Sequence, residues 1–280
     1  MAAPDFVAIG HVTLDRFGDV VRPGGAALYA VVTAHRQGLS AGILTSHGDD
    51  YPLELIPPRI EVVSVAARAT TRFEHTASGE RRTMRVPSAA GPLTAADVPE
   101  DWRAAPLVLL APVLGEVDPH VARAFTNATL AAAAQGWMRG LSADRAVGPV
   151  PWPPLEFLLG RLQAIFASLE DVVDEEATVL EWIQRVPIAA VTASRAGALL
   201  YVNGERYEVR PRAAREIDAT GAGDVFATTF LIHYQLDGDP WEAAAAATCA
   251  ASLSVEGEGW DGIPDQEALE ATLREYHREP

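Results

Sequence analysis

Short apolar runs alternate along most of the chain with longer segments whose apolar residues recur at helical spacing. The runs that predict buried strands are residues 6–12, 41–46, 107–113, 129–136, 164–168 and 188–194. Between them, residues 24–38 and 174–186 predict helices, the first ending in glycine and the second beginning with acidic residues that favour the helix dipole. Continuously apolar strands separated by helices indicate a mostly parallel sheet that is covered on both faces. The predicted fold class is therefore α/β, with a central parallel sheet flanked by helices.

Two stretches replace the helical spacing with alternation of polar and apolar residues. Residues 69–75 and 81–88 predict a small β-hairpin with a polar face, and residues 198–210 predict a second hairpin around an Asn203-Gly204 turn. The proline-rich residues 147–157 are interpreted as a rigid loop rather than a linker between domains. We therefore expect one domain over residues 1–280.

Composition narrows the class of protein. Hydrophobic residues make up 49% of the chain and charged residues 21%, which is usual for a packed globule. We expect a cytoplasmic protein without a membrane partner, because the chain has neither an apolar run of the roughly 18–20 residues that span a bilayer nor a secretory signal. A net charge of −16 disfavours a nucleic-acid partner. The one cysteine, Cys249, excludes an internal disulfide and is expected to be buried in a helix.

Lysine does not occur in the sequence, so all 22 basic residues are arginines. This excludes enzymes that depend on a Walker A lysine, protein kinases, Schiff-base enzymes and Ser-x-x-Lys hydrolases. A dinucleotide-dependent oxidoreductase is also disfavoured, since no G-x-G-x-x-G follows the first predicted strand. Any nucleotide phosphate would have to be held by backbone amides, arginine or a metal ion.

The stretch 218–230, DATGAGDVFATTF, carries the candidate chemistry. Small residues at Gly221, Ala222 and Gly223 leave backbone N–H groups uncovered at the start of a predicted helix, which favours an anion there. Asp224 in that turn is then placed to take a proton from a hydroxyl that attacks a phosphoryl group, while the amides hold the developing charge. The alternative is that Asp224 only caps the helix.

The sequence DATGAGD resembles the C-terminal signature D-T-x-G-A-G-D of the ribokinase-like (PfkB) carbohydrate kinases, with Ala219 as a departure. The resemblance implies that Asp224 is the catalytic base and that residues 221–223 form the anion hole. It also implies that Asp218 and Thr220 lie beside a site for a monovalent cation such as K⁺.

The N-terminal part extends the resemblance. The stretch AIGHVTLDRF is similar to the family's opening strand, which ends in an aspartate that binds substrate hydroxyls, here Asp15; the alternative is a turn residue. RPGGAALYA is similar to the glycine pair that flexes as a lid closes, here Gly24 and Gly25, and implies lid segments near 13–24 and 68–87. Tyr29 stands where ribose-binding members carry asparagine, which disfavours ribose. Together with AQGWMR in mid-chain, this looks more like the inositol-kinase branch.

Three further stretches are similar to family segments near the phosphoryl donor. ASLEDV stands in place of the N-x-x-E motif that organises Mg²⁺-bound water, here Ser168 and Asp171, with Glu170 as an alternative. The other two, VTASRAGALLYV and SVEGEGWDGIP, imply nucleotide contacts at Thr192, Ser194, Gly197, Gly257 and Gly259. Trp260 is interpreted either as an adenine-stacking residue or as a packing residue.

The function predicted from these residues is ATP-dependent transfer of phosphate, with Mg²⁺, to a hydroxyl of a small polyol or sugar, with a myo-inositol-like acceptor favoured. The alternatives are a non-catalytic PfkB-like protein that binds a sugar or a partner protein, and a nucleoside kinase of the same fold. A homodimer is left open, since an exposed hairpin edge is able to pair between subunits.

Overall fold

The structure is a computed structural model that describes residues 2–78, 81–152, 156–172 and 175–278. Its strands are β1 (Phe6–Ile9), β2 (Thr13–Phe17), β3 (Val20–Gly24), β4 (Ala41–His47), β5 (Glu61–Ala66), β6 (Thr71–Ser78), β7 (Arg81–Ser88), β8 (Leu107–Leu110), β9 (Thr129–Ala133), β10 (Arg139–Leu141), β11 (Val147–Pro149), β12 (Ala164–Ser168), β13 (Ile188–Thr192), β14 (Ala198–Val202) and β15 (Glu205–Val209). Its α-helices are α1 (Ala26–Arg36), α2 (Glu156–Leu159), α3 (Glu175–Ile183), α4 (Ala222–Asp237), α5 (Pro240–Ser254) and α6 (Gln266–Tyr276).

A nine-stranded sheet forms the centre of the molecule, in the order β15-β14-β13-β12-β9-β8-β1-β4-β5. All neighbouring pairs are parallel except β13-β14 and β14-β15. Along β1, Phe6 and Ala8 belong to the core on one face of the sheet, and Val7 and Ile9 to the core on the other. All four are fully buried, which is why the strand is continuously apolar. The predicted α/β class with a mostly parallel sheet is confirmed.

Four predicted strands are too long at their C-terminal ends, and those at 107–113 and 188–194 end at Leu110 and Thr192. The first predicted strand ends at Ile9, because the next N–H groups leave the ladder: those of His11 and Val12 donate to the side chains of Glu116 and Thr45. The predicted strand 129–136 ends at Ala133 and continues as the 3₁₀ turn Ala134–Met138.

The hairpin predicted around the Asn203-Gly204 turn is present as β14 and β15. Both turn residues have positive φ, 50° and 86°, the backbone conformation that two-residue hairpin turns need. The predicted helices 24–38 and 174–186 correspond to α1 and α3, although Asp174 lies outside the described residues.

A second, four-stranded sheet in the order β3-β2-β6-β7 is built from the two segments predicted as lid segments. We call it the small sheet. Strands β2 and β6 pair in parallel, with Thr13 opposite Thr71, and the outer pairs are antiparallel. Strand β3 runs at Gly24 directly into α1, so the small sheet lies beside one end of that helix.

Helices cover both faces of the central sheet. On one face α1, α4 and α5 share a core in which Phe166 of β12 contacts Phe226 and Phe230 of α4 edge-on. Cys249 of α5 is buried in this core, as predicted. The described residues contain no helix with the length and apolar character needed to cross a membrane.

Candidate active site

Helix α4 starts at a glycine that no other residue is able to replace without strain. Gly221 is its N-cap with φ +77°, in the left-handed region. The ring of Tyr29 lies against Gly221, so a β-carbon there would come within 2.1 Å of a ring carbon. Backbone conformation and lack of space therefore demand glycine independently, and together they fix the direction in which the helix begins.

The first turn of α4 leaves backbone N–H groups available. The described residues offer no acceptor to the N–H groups of Gly221, Gly223 and Asp224. Ala222 differs, because its N–H donates to the Ala219 carbonyl at 3.3 Å. The predicted anion cup is thus corrected at one position: Ala222 is engaged in a turn, and the open amides belong to its neighbours. These amides and the helix dipole favour an anion at this end of α4.

Asp224 lies in the same turn and is half-buried. Burial raises the pKa of its carboxyl to about 7; the nearby Arg139 opposes this shift, and the negative charge of Asp171 adds to it. A carboxylic acid with this pKa exchanges its proton near neutral pH, which suits a general base.

Arg139 is the residue of this site to which the sequence reasoning assigned no role. Its side chain is only 15% exposed, and its Nη2 lies 3.6 Å from Oδ1 of Asp171. Nε of Arg139 is buried without a hydrogen-bond partner among the described residues. Asp171 in turn accepts a 2.5 Å hydrogen bond from Gln135. The signal in the sequence was the stretch AQGWMR, whose last residue is this arginine.

The order of the strands brings these groups together. Strands β9 and β12 are parallel neighbours, so the segments that follow them leave the sheet at the same edge. Gln135 and Arg139 follow β9, and Asp171 follows β12. An arginine and an aspartate that are far apart in the chain therefore meet beside the start of α4.

Asp15 lies in the middle of β2 and not at the end of the opening strand, which corrects the sequence interpretation. Only 7% of the residue is exposed, and its Oδ1 has no hydrogen-bond partner among the described residues. Burial raises the pKa of Asp15 to about 6, partly offset by the neighbouring Thr13 hydroxyl and by the positive charge of Arg139. Arg139 thus acts electrostatically on Asp15 and on Asp224.

The glycine pair makes room for Asp15 and turns the chain into α1. A β-carbon on Gly24 would lie 2.4 Å from Oδ2 of Asp15. Gly25 has φ +108°, and a β-carbon there would lie 2.3 Å from the carbonyl oxygen of His11. The lack of a side chain at both glycines therefore allows the small sheet to pack closely against the start of α1.

A cavity of about 210 Å³ lies between the small sheet and the turn that precedes α4. It is small beside the pockets of roughly 300–1,000 Å³ that hold drug-sized ligands. Its lining includes Asp15, Arg22, Tyr29, Asp218, Thr220 and Trp260. Asp224 is not among the lining residues; the Tyr29 ring lines the cavity and also lies over Gly221.

Tyr29 is nearly fully buried where it lines the cavity and lies over Gly221. Burial raises the pKa of its hydroxyl, and the negative charges of Asp218, Asp15 and Asp224 raise it further. The tyrosine therefore stays neutral as a hydrogen-bond donor and acceptor in the midst of the carboxylates.

The predicted nucleotide residues fall into two groups. Gly259 lines the cavity and donates its N–H to Asp218 at 3.1 Å. Thr192, Ser194 and Gly197 are not among the lining residues. Ser194 has a left-handed backbone, φ +51°, a conformation that usually favours glycine.

The other predicted nucleotide glycines are packed against backbone. Gly197 faces the Val209 carbonyl of the adjacent hairpin, and Gly257 packs against Gly262. Trp260 lines the cavity and packs against the main core, which agrees with the interpretation as a packing residue; adenine stacking stays a prediction.

The predicted Mg²⁺ position does not fit the groups at Asp171. One carboxylate oxygen accepts from Gln135 and the other faces the Arg139 guanidinium, whose positive charge disfavours a second cation there. The Ser168 hydroxyl accepts from the Glu170 N–H at 3.3 Å, and the Glu170 side chain is exposed. Among the described residues, no group of three or more His, Cys, Asp or Glu side chains is arranged to hold a metal ion.

Comparison with known proteins finds a family match over part of the chain. Residues 155–266 match the sequence profile of the pfkB family carbohydrate kinases. The match covers α4 and with it Gly221 and Asp224, as the sequence signature predicted.

Two curated proteins to which this chain is similar are inositol 3-kinases. The protein from Zea mays is 32% identical over 243 residues, which is 79% of this chain and 63% of that protein. The protein from Oryza sativa subsp. japonica is 30% identical over 242 residues, 79% of this chain and 59% of that protein. The chain thus spans about three-fifths of the length of these relatives.

Solved structures share the fold at lower identity. A sulfate complex of a pyrophosphate-dependent kinase in the ribokinase family has a TM-score of 0.80 and 21% identity, over 95% of this chain and 99% of that chain. Such a kinase complexed with a pyrophosphate analog and myo-inositol has a TM-score of 0.79 and 20% identity, over 95% and 99%. Ribokinase from Thermotoga maritima has a TM-score of 0.74 and 21% identity, over 96% and 99%. The chain therefore has the ribokinase fold.

Proposed function

We propose that this protein transfers a phosphoryl group from ATP to a hydroxyl of a small polyol, with a myo-inositol-like acceptor favoured. The observation that carries the proposal is the first turn of α4, where the open N–H groups of Gly221 and Gly223 lie beside the carboxyl of Asp224. An anion site and a proton acceptor on one helical turn are what phosphoryl transfer to an alcohol requires. The names of the curated relatives support a polyol acceptor.

In the proposed mechanism, the acceptor lies between the small sheet and α4, with Asp15 accepting hydrogen bonds from its non-reacting hydroxyls. Asp224 takes the proton of the reacting hydroxyl as its oxygen forms a bond to the γ-phosphorus. The bond from that phosphorus to the bridging oxygen of ATP breaks, and ADP leaves with the bonding pair. The products are the phosphorylated polyol, ADP and a proton.

In this mechanism, the negative charge on the transferring phosphoryl group is stabilised from two sides. The Gly221 and Gly223 amides and the dipole of α4 provide one side. The Arg139 guanidinium provides the other, and it also favours the ionised form of Asp224. Gly223 is exposed, so we place the approach of the donor on its side of the turn, away from the Tyr29 ring over Gly221.

Tyr29 is proposed to select the acceptor. The ring lines the cavity, lies over Gly221 and offers one hydroxyl where an asparagine would offer both an amide donor and a carbonyl. A broad aromatic surface at this place suits the ring face of a cyclitol better than a ribose diol.

Pyrophosphate is the second candidate for the donor. Two solved structures with TM-scores of 0.80 and 0.79 are of pyrophosphate-dependent kinases. The fold shared with these kinases supports testing pyrophosphate as a donor beside ATP.

A panel of donors and acceptors tests the proposal. The protein is incubated with Mg²⁺ and either ATP or pyrophosphate, together with myo-inositol, other polyols, sugars or nucleosides, and ³¹P NMR detects the phosphorylated acceptor. We expect transfer from ATP to myo-inositol or a close relative. Transfer from pyrophosphate alone would correct the donor, and preferred transfer to nucleosides would correct the acceptor. Polyol binding in calorimetry without transfer from either donor would identify a non-catalytic binding protein.

A further inference from the structure

The carboxylate of Asp218 is already surrounded by donors from the protein. Its Oδ1 accepts the N–H of Thr220 at 2.9 Å, and its Oδ2 accepts the N–H of Gly259 at 3.1 Å. A carboxylate has about four lone-pair positions for hydrogen bonds. Two of them are thus filled by backbone groups of the turn before α4 and of the loop that closes the cavity.

Arg22 adds a third donor and a full positive charge. This arginine is on β3 of the small sheet, and its Nη1 lies 3.3 Å from Oδ2 of Asp218. Its Nη2 lies 3.1 Å from Oε2 of Glu258. The guanidinium therefore bridges two carboxylates across the cavity, which it also lines.

These contacts keep Asp218 ionised. Burial acts to raise its pKa, but the hydrogen bonds from Thr220 and Gly259 and the charge of Arg22 lower the pKa below its ordinary value. An ion pair of Arg22 and Asp218 thus lies next to the turn at Gly221, where the helix of the candidate base begins.

The same contacts do not fit the monovalent cation that the family resemblance implies at Asp218 and Thr220. A cation would need oxygen ligands, whereas the groups around Asp218 are N–H donors and a guanidinium. The nearby Val255 carbonyl is engaged too, since it accepts the N–H groups of Ile217 at 2.7 Å and of Asp218 at 3.2 Å. A second positive charge close to Arg22 would be repelled.

We propose that Arg22 takes the place of the monovalent cation, so that phosphoryl transfer by this protein does not require K⁺. The positive charge beside the turn at Gly221 then comes from the small sheet itself, as a positioning group and not as a bound ion. The turn is held in shape for the phosphoryl group only while β3 is in contact with it. This inference rests on the proposed function for its kinetic consequence, but the binding of K⁺ is measurable without it.

Thermal unfolding and turnover in matched salts test the inference. The wild-type protein and Arg22→Ala are compared in KCl and in choline chloride at equal ionic strength, so that screening is the same. For the wild-type protein we expect the same melting temperature in both salts and rates that agree within about twofold. For Arg22→Ala we expect kcat/KM to fall about tenfold in choline chloride and to recover partly in KCl. Its melting temperature should rise in KCl only, because an ion that binds the folded state alone stabilises it.

Arg72→Ala is the matched control. Arg72 is on β6 of the same small sheet and pairs with Asp50 at 2.6 Å, away from the cavity lining. It should lose stability equally in both salts and gain no response to K⁺. Activation of the wild-type protein by K⁺ of more than about tenfold would overturn the inference. An Arg22→Ala variant whose melting temperature is the same in KCl and in choline chloride would overturn it too. If no acceptor is phosphorylated at all, the proposed function fails, while the melting temperatures still decide whether Arg22 replaces the ion.

Discussion

The two carboxylates with a raised pKa, half-buried Asp224 and buried Asp15, are held by very different parts of the molecule. Asp224 is on a 16-residue helix whose residues 225–232 are all buried in the main core. Asp15 is on the small sheet, where its strand is fixed by pairing with residues nearly 60 positions later and where the first two residues of β3 are exposed. Both carboxyls have a raised pKa, and Arg139 acts on both. Asp224 is fixed on a helix that is packed in the core, which suits the chemical step. Asp15 is on a peripheral sheet, which suits binding of the acceptor.

The largest effect is expected from Asp224→Asn. Loss of the base should lower kcat by about 10²–10⁴, because no other group takes the hydroxyl proton. Donor binding, measured by calorimetry, should be kept, since the open amides remain. An asparagine variant with nearly normal turnover would remove the proposed mechanism.

A smaller effect, with a different pH dependence, is expected from Arg139→Gln. Arg139 favours ionised Asp224, so its loss should raise the pKa of that carboxyl above about 7 and shift the acidic limb of the kcat profile to higher pH. We expect a loss of about 10² in kcat at pH 7, including the lost charge on the phosphoryl group, and partial recovery at higher pH.

Arg206→Gln is the control for that measurement, because Arg206 is 57% exposed on the β15 hairpin and pairs only loosely with Glu208, at 3.6 Å. It should leave the pH profile unchanged. If Arg139→Gln kept the wild-type acidic limb, Arg139 would not act on the base.

The substitution Asp15→Asn tests whether the small sheet binds the acceptor without taking part in the chemical step. If Asp15 only holds the acceptor, the substitution should raise KM for the polyol about 10- to 100-fold and change kcat by less than about threefold. Asp19→Asn, on the exposed turn of the same hairpin, is the matched control and should behave as wild type. A fall in kcat as large as the expected rise in KM would place Asp15 in the chemical step. Asp15 and Asp224 would then not differ in role.

The smallest effect concerns stability. The pKa of Asp224 is raised to about 7 in the folded protein, from an ordinary value near 3.8. Its contribution to stability is therefore complete at low pH and is lost as pH rises through about 7, because the unfolded chain ionises first. Asp224→Asn should have the melting temperature of wild type near pH 4 and exceed it by roughly 2–4 °C at pH 8. A constant difference across this range would mean that the carboxyl does not titrate with the raised pKa.

Much of the architecture was readable from local patterns. Apolar runs located the central strands, and the Asn203-Gly204 pair located a hairpin turn, because strand burial and positive φ act on neighbouring residues. The stretch 218–224 likewise predicted a glycine turn that leads into a helix with an acidic first turn. These features depend on spacing and on the backbone freedom of single residues, which are written directly in the sequence.

The convergence of charges required the tertiary structure. Arg139 had no assigned role, since its place beside Asp171 and Asp224 follows from the adjacency of β9 and β12. The contact of Arg22 with Asp218 joins residues 196 positions apart. The spacing of residues along the chain does not predict such contacts, because they depend on strand order and on helix packing. The pKa values of the site depend on distances between charges, which only the folded chain defines.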